Sequence, residues 1–231
     1  MPVFLLPDLI QKFPDASFAE PTGLLAVGGQ LNTDSILEAY QNGIFPWYHV
    51  DEAPHWYCLT PRLMLVPQEV NISKSMRSLI KASKYTLSCD THFIEVMNAC
   101  RNIERKNQDG SWIHYEIMDA FNQLHKEGIA HSVEVWRDQQ MVGGLYGLAI
   151  GDMFCGESMF AIEPNTSKLA LIGLCKLLQK KEFKYVDCQQ DTPHLKSMGA
   201  KLISKADFFS FLQENKTKEI IREKWIEAVL L

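Results

Sequence analysis

The sequence predicts an α+β protein built on one mixed sheet, and three observations carry that expectation. Residues 129–160, IAHSVEVWRDQQMVGGLYGLAIGDMFCGESMF, read as three consecutive strands turning at RDQQ and GD, an antiparallel meander. The apolar stretch Thr166–Lys180 reads as a helix, and KYVDCQ behind it reads as a further strand, so the helix serves as a crossover. Helices before the meander, the meander itself, the crossover helix and the further strand together suggest α+β with one mixed sheet.

Taken in order, MPVFLLPDLIQKFPDASF has no basic start and is interrupted by Pro2, Pro7 and Asp8, so it does not read as a secretory leader. NTDSILEAYQNGIF predicts a short helix: Asn32 to Ser35 offer caps, Ser35 and Glu38 fit a capping box, and Gly43 closes the end. IFPWYHVDEAPHWYCLTPRLMLVP is rich in proline and carries Trp47, Tyr48, Trp56 and Tyr57; it reads as a long loop or linker ending near Pro61. ISKSMRSLIKASK is an amphipathic helix with Met76, Leu79 and Ile80 on one face and Lys74, Arg77 and Lys81 on another. KYTLSCD predicts a strand, a helix runs from about Thr91 to Ile103, and SWIHYEIMDAFNQLHKEG predicts a helix closed by Gly128. After the crossover strand comes a short helix from Thr192 to Met198, with Gly199 behind it.

A chain of 231 residues can bury a sizeable core as one large domain or two small ones. No run of about 18 apolar residues exists, which excludes a helical membrane span. Cys58, Cys89, Cys100, Cys155, Cys175 and Cys188 form no C-x-x-C pair and read as buried reduced thiols of a cytoplasmic protein. The seven histidines show no ligand spacing, so no metal site is expected. Net charge is −5 but uneven. Residues 1–60 hold seven acids (Asp8, Asp15, Glu20, Asp34, Glu38, Asp51, Glu52) against Lys12. Residues 62–84 hold five bases (Arg62, Lys74, Arg77, Lys81, Lys84) against Glu69. An acidic region and a separate basic one are expected.

Glu157 is the one carboxylate of FCGESMF, in a stretch expected to be a core strand, where an unpaired charge is expensive. It either pairs with a core partner or forms the polar floor of an apolar pocket walled by Phe154, Met159 and Leu171. Asp187 and Gln189 stand two apart on a predicted strand and so share a face. They are either a ligand-binding pair at a strand end or a strand leaving the core. EPNTSK is either an ordinary helix cap or an anion site. Trp47 and Trp112 fit a core or a base-stacking role. The basic face of the 74–84 helix is either a solvated face or a track for phosphates.

EPTGLLAVGGQLNTDSILEAYQNGIFPW, SWIHYEIMDAF, AHSVEVW, VGGLYGLAIGDMFCGESMF, NTSKLAL and VDCQ, in that order, resemble the leucyl/phenylalanyl-tRNA–protein transferase family across nearly the whole chain. CLTPR and Phe121 depart from the family's usual residues. The resemblance implies a small N-terminal domain (1–61) followed by an N-acetyltransferase-like, GNAT-type domain (62–231) with a mixed, mostly antiparallel sheet. It implies transfer of Leu or Phe, with Met as a third donor, from aminoacyl-tRNA to proteins beginning with Arg or Lys, in the bacterial N-end rule. It places Glu157 in the amino-acid pocket, with Ser158, Phe154, Leu145 and Leu171. It sets Tyr40, Trp47, Trp112 and Phe121 around the terminal adenosine of the tRNA, and Asp187 and Gln189 at the reaction centre. Lys74, Arg77 and Lys81 are expected to hold tRNA phosphates. No cofactor is expected, because an activated ester drives amide formation unaided, and the protein is expected to act as a monomer. An acyl-CoA-dependent N-acyltransferase and a non-catalytic tRNA or N-terminus binder are the alternatives. Against the first, EPNTSKLA has no glycine where those enzymes cradle pyrophosphate.

Overall fold

The computed structural model describes residues 3–8, 12–49, 51–103 and 111–226; Pro2, and Val50 within the proline-rich stretch, lie outside them. The first elements are β1 (Phe4–Leu6), β2 (Leu24–Gly28), α1 (Thr33–Gln41), β3 (Phe45–Pro46) and β4 (His55–Tyr57). These four strands form a small sheet in the order β1-β2-β4-β3. The stretch expected to be an irregular loop therefore contributes β3 and β4, and β5 (Arg62–Leu65) begins directly after its expected end near Pro61. Pairing supplies what propensity withholds: β4 is held between β2 and β3, and the Trp56 indole N–H donates to the Gly28 carbonyl at 3.0 Å. The cap of α1 also differs from expectation. Asn32 is extended and caps a helix that begins at Thr33, three residues before a Ser35 cap would start it, and the box closes between Asn32 and Ser35 with reciprocal bonds of 3.0 and 2.9 Å.

Then follow α2 (Lys74–Lys81), β6 (Thr86–Cys89), α3 (Phe93–Asn102), α4 (Tyr115–Lys126), β7 (Ala130–Arg137), β8 (Gln140–Ile150) and β9 (Met153–Ala161). The chain ends in α5 (Thr166–Lys180), β10 (Tyr185–Asp187), α6 (Pro193–Ser197), β11 (Lys201–Ile203) and α7 (Lys205–Asn215). Seven strands make one sheet, ordered β11-β5-β10-β9-β8-β7-β6. Among the described residues of this sheet, only β9 and β10, joined by α5, pair in parallel; its other neighbours are antiparallel. The mixed α+β architecture is the one the meander and crossover predicted.

Side chains alternate across this sheet, as a two-residue period demands. Tyr146, Leu148 and Ile150 of β8 join one buried cluster, with α3, α4 and the small sheet; Leu145 and Ala149 join the other, with α5. The first cluster runs from Leu25, Ile36 and Trp56 through Phe121 to Met153, so the small sheet shares its core with the large one. All six cysteines are buried, and none is in a disulfide. Burial pushes the Cys175 thiol up to about 12.

Candidate functional site

β10 pairs with β9 only as far as Asp187 opposite Cys155, whereas β9 runs on to Ala161. Where the two strands part, a cavity of about 550 Å3 opens. Its depth is apolar, lined by Leu145, Phe154, Met159, Leu171, Leu174 and Val186. β3 and the residue after it bring Phe45, Pro46 and Trp47 to one side, so the small sheet supplies a wall. Trp47 is 42% exposed, and Trp112 lines the same cavity.

Glu157 reaches the cavity because of a β-bulge. Gly147 of β8 faces Gly156 and Tyr146 faces Ser158, so Glu157 is the extra residue on β9. A bulge re-aims a side chain that the pleat would otherwise send elsewhere. The Glu157 Oε1 accepts from the Tyr40 hydroxyl at 2.7 Å and from the Gln189 side-chain Nε2 at 3.5 Å. Burial of the carboxyl pushes its pKa up to about 8, against the Tyr40 hydrogen bond and the Arg62 charge, which pull it down, and with the Asp187 charge, which raises it. Most of this carboxyl is neutral at pH 7. Tyr40 is itself raised, chiefly by burial and then by Glu157.

Asp187 and Gln189 do not share a strand face. β10 ends at Asp187, and Gln189 has left-handed backbone at φ +51°. At that end Asp187 forms an ion pair with a residue 125 positions away in sequence. Arg62 Nε and Nη2 donate to Asp187 Oδ1 and Oδ2, each at 2.7 Å, with both side chains about 1% exposed. The guanidinium lies between the rings of Phe45 and Phe208, 5.2 and 4.8 Å from their centroids. Burial alone would lower the Arg62 pKa; the Asp187 charge and hydrogen bonds, with smaller contributions from Cys58 and Cys155, together more than reverse this. Asp187 Oδ1 also accepts from the Gln189 backbone N–H at 3.0 Å. Asp187 thus fixes the Gln189 main chain, and the Gln189 amide turns to Glu157. The expectation that Asp187 holds the amide itself is corrected. Arg62 is also withdrawn from the basic surface to which its position in the sequence assigned it.

The structure brings Glu157, Ser158, Phe154, Leu145, Leu171, Trp47, Trp112, Asp187 and Gln189 to one cavity. Tyr40 and Phe121 do not line it. They are buried behind Glu157, with Phe121 edge-on to Tyr40 and to Tyr146. Lys74, Arg77 and Lys81 are exposed on α2, away from the cavity lining, while Met76 of the same helix is buried. Among the described residues, no group of three or more His, Cys, Asp or Glu is placed to hold a metal ion. No helix among them is long and apolar enough to cross a membrane.

The family model for leucyl/phenylalanyl-tRNA protein transferase matches residues 64–213, and that for its N-terminal domain matches residues 29–59. The chain belongs to this family. A leucyl/phenylalanyl-tRNA–protein transferase of Hydrogenovibrio crunogenus is 46% identical over 215 residues, covering 92% of this chain and 84% of its own. One from Syntrophus aciditrophicus is 43% identical over 225 residues, covering 97% and 94%. Among solved structures, a GCN5-related N-acetyltransferase from Kribbella flavida is similar at 8% identity and a TM-score of 0.39, covering 71% of this chain and 58% of that one. For this transferase-family chain the fold assignment rests on the strand order above.

Three features of the site escaped the sequence. Arg62 reads there as one of several bases, because its partner is 125 residues away. His194, lowered in pKa first by burial and then by Lys168, lines the cavity from α6. Leu174 lies one turn beyond Leu171 on α5, and that helical spacing was a signal the sequence did carry.

Proposed function

We propose that the protein transfers leucine or phenylalanine from a charged tRNA to the N-terminal amine of proteins that begin with Arg or Lys, feeding N-end rule degradation. The observation that carries this reading is the cavity. An apolar depth suits a Leu or Phe side chain, a carboxyl on a bulge stands at its floor, and an exposed indole stands at its mouth. Glu157, Ser158, Phe154, Leu145 and Leu171 bind the amino acid, and Asp187 and Gln189 stand at the reaction centre. Trp47 and Trp112 take the terminal adenosine by stacking, with Tyr40 and Phe121 supporting Glu157 from behind. Lys74, Arg77 and Lys81 hold phosphates of the tRNA. The acids of residues 1–60, the small N-terminal unit, attract the cationic acceptor, and the protein works as a cytoplasmic monomer.

The chemistry needs little more than placement. The donor is an activated ester, and an α-amine of pKa near 8 is already about a tenth neutral at pH 7. Holding the two reactants in line supplies most of the acceleration, and the Gln189 carbonyl accepts a hydrogen bond from the attacking amine. The test is to incubate the protein with radiolabelled Leu-tRNA and an Arg-starting peptide. Label in the peptide supports the reading, provided a Gly-starting peptide stays unlabelled. Acyl transfer from acetyl-CoA in its place would overturn it.

A further inference from the structure

The amino-acid cavity has a support that lies outside the span matched by the family model, which ends at residue 213. Residues 222–225 run back across the protein. Arg222 pairs with Glu127, Lys181 pairs with Glu223 at 2.6 Å, and the Glu223 N–H donates to the Gly128 carbonyl at 3.1 Å. Gly128, at φ +74°, leaves room for this strap: a Cβ there would stand 2.6 Å from the Glu223 nitrogen. The Trp225 backbone N–H then donates to the buried Asp90 Oδ2 at 2.7 Å. That same oxygen contacts the His131 ring Nδ1 at 2.8 Å.

These contacts deliver the Trp225 indole into the core at 2% exposure. It stacks on His131, with centroids 3.6 Å apart and planes 2° from parallel. Its other aromatic neighbours are Phe183 and Phe154, each at 5.9 Å between centroids, and the Lys181 ammonium lies 5.6 Å from its ring centroid. Phe154 is itself a wall of the cavity. The Phe154 ring also lies against Gly147, where a Cβ would stand 2.6 Å from the ring Cε1. Gly147 leaves the ring its place, and Trp225 packs against the ring there.

We propose that Trp225 is a positioning residue for the amino-acid pocket: by holding the Phe154 ring, it sets the size of side chain the enzyme accepts. This rests on the proposed function, since it takes the cavity to be the amino-acid site. Without the indole, Phe154 can turn toward the vacated space. The pocket then lengthens, which favours a larger donor over leucine. Closely packed pockets discriminate by about tenfold or more per methylene of fit, so the change is measurable in donor preference.

The test measures kcat/KM for Phe-tRNA and Leu-tRNA, with an Arg-starting peptide, in Trp225→Ala, Trp225→Leu and Trp225→Phe. Leu87→Ala is the control, since Leu87 lies in the same buried cluster but on β6, the far edge of the sheet. The expected result is a Phe/Leu ratio raised roughly three- to tenfold in Trp225→Ala and Trp225→Leu. Trp225→Phe should restore most of the wild-type ratio. Leu87→Ala should lower stability and leave the ratio unchanged. Should Trp225→Ala fail to fold, Trp225→Leu decides. A ratio within twofold of wild type in the variants that fold makes Trp225 ordinary core and overturns the inference alone. A wild-type protein that transfers neither donor overturns the proposed function, and this inference with it.

Discussion

Replacing Asp187 with Ala should unfold the site before it slows the chemistry. The substitution strips the partner from a guanidinium that is about 1% exposed and donates both of its strong hydrogen bonds to this one carboxylate. Breaking a buried pair from one side costs about 3–5 kcal/mol, because the remaining charge stays desolvated. In a chain of this size each kcal/mol lowers Tm by roughly 2–4 °C, so the melt should fall by roughly 6–20 °C. The Gln189 N–H loses its acceptor in the same step, which frees a backbone held at φ +51°. The assay is a thermal melt with a urea titration, alongside single-turnover transfer normalised to folded protein. Replacing both partners, Arg62→Met with Asp187→Leu, should recover most of the stability, since an apolar pair of similar volume is often neutral. A melt for Asp187→Ala within about 2 °C of wild type would refute the reasoning. So would a double variant no more stable than the single one.

Gln189 is only half-buried, so Gln189→Ala should leave the melt nearly unchanged and lower turnover by ten- to a thousandfold, the range of a lost transition-state hydrogen bond; wild-type single-turnover rates would remove it from the chemistry. Glu157 ionises near pH 8 in the folded protein and near 4.5 when unfolded, so the stability it confers is full below pH 4.5 and lost as pH rises through 8. Glu157→Gln should therefore flatten that loss, gaining on the order of 3 kcal/mol over wild type by pH 9 with allowance for solvent reaching the cavity; parallel pH–stability curves for the two proteins would contradict it. Reversing Lys74, Arg77 and Lys81 to Glu should raise KM for aminoacyl-tRNA and lower the salt slope by roughly 0.7–0.9 per lost phosphate contact. An aminoacyl-adenosine donor should be spared, and equal losses with both donors would make α2 structural.

The meander and the crossover were legible because each has many residues in one period: Leu145, Ala149 and Phe154 fall on one face of the sheet and Tyr146, Leu148 and Cys155 on the other. β3 and β4 were not. Strands of two and three residues carry no periodicity, and their proline and aromatic content belongs equally to loops. The capping box was located within three residues but assigned to Ser35 and Glu38, since a sequence shows which residues can cap and not which one is extended. For the site, residue types were legible and geometry was not. The oddity of a carboxylate in FCGESMF was visible, but a bulge is a property of two strands in register, and β8 must be in place before Glu157 becomes the extra residue. Arg62 and Trp225 were illegible for the same reason: each acquires its role from a partner distant in the chain.

The ion pair also decides what kind of chemistry the proposed function can use. A carboxylate beside an amide at the end of a strand suggests a base with its helper. Asp187 cannot serve as one, because Oδ1 receives bonds from Arg62 Nε and the Gln189 N–H, and Oδ2 from Arg62 Nη2. Taking a proton would break the pair whose rupture unfolds the site. Glu157, held neutral at pH 7 by burial, is equally unsuited to draw a proton from an ammonium until the pH nears 8. Neither carboxylate adjoining Gln189 is therefore a strong base at neutral pH. This does not impede a reaction whose nucleophile is already partly neutral and whose donor ester is already activated. What such a reaction lacks is alignment. Arg62, Asp187 and the bulge at Glu157 supply it by fixing the Gln189 backbone through one carboxylate and its side chain through the other. Transfer by this enzyme should accordingly follow the titration of the acceptor amine, with Glu157→Gln shifting the midpoint of the pH–rate profile little. A profile that moves by a full unit in that variant would show that Glu157 takes the proton, and the account by alignment alone would fail.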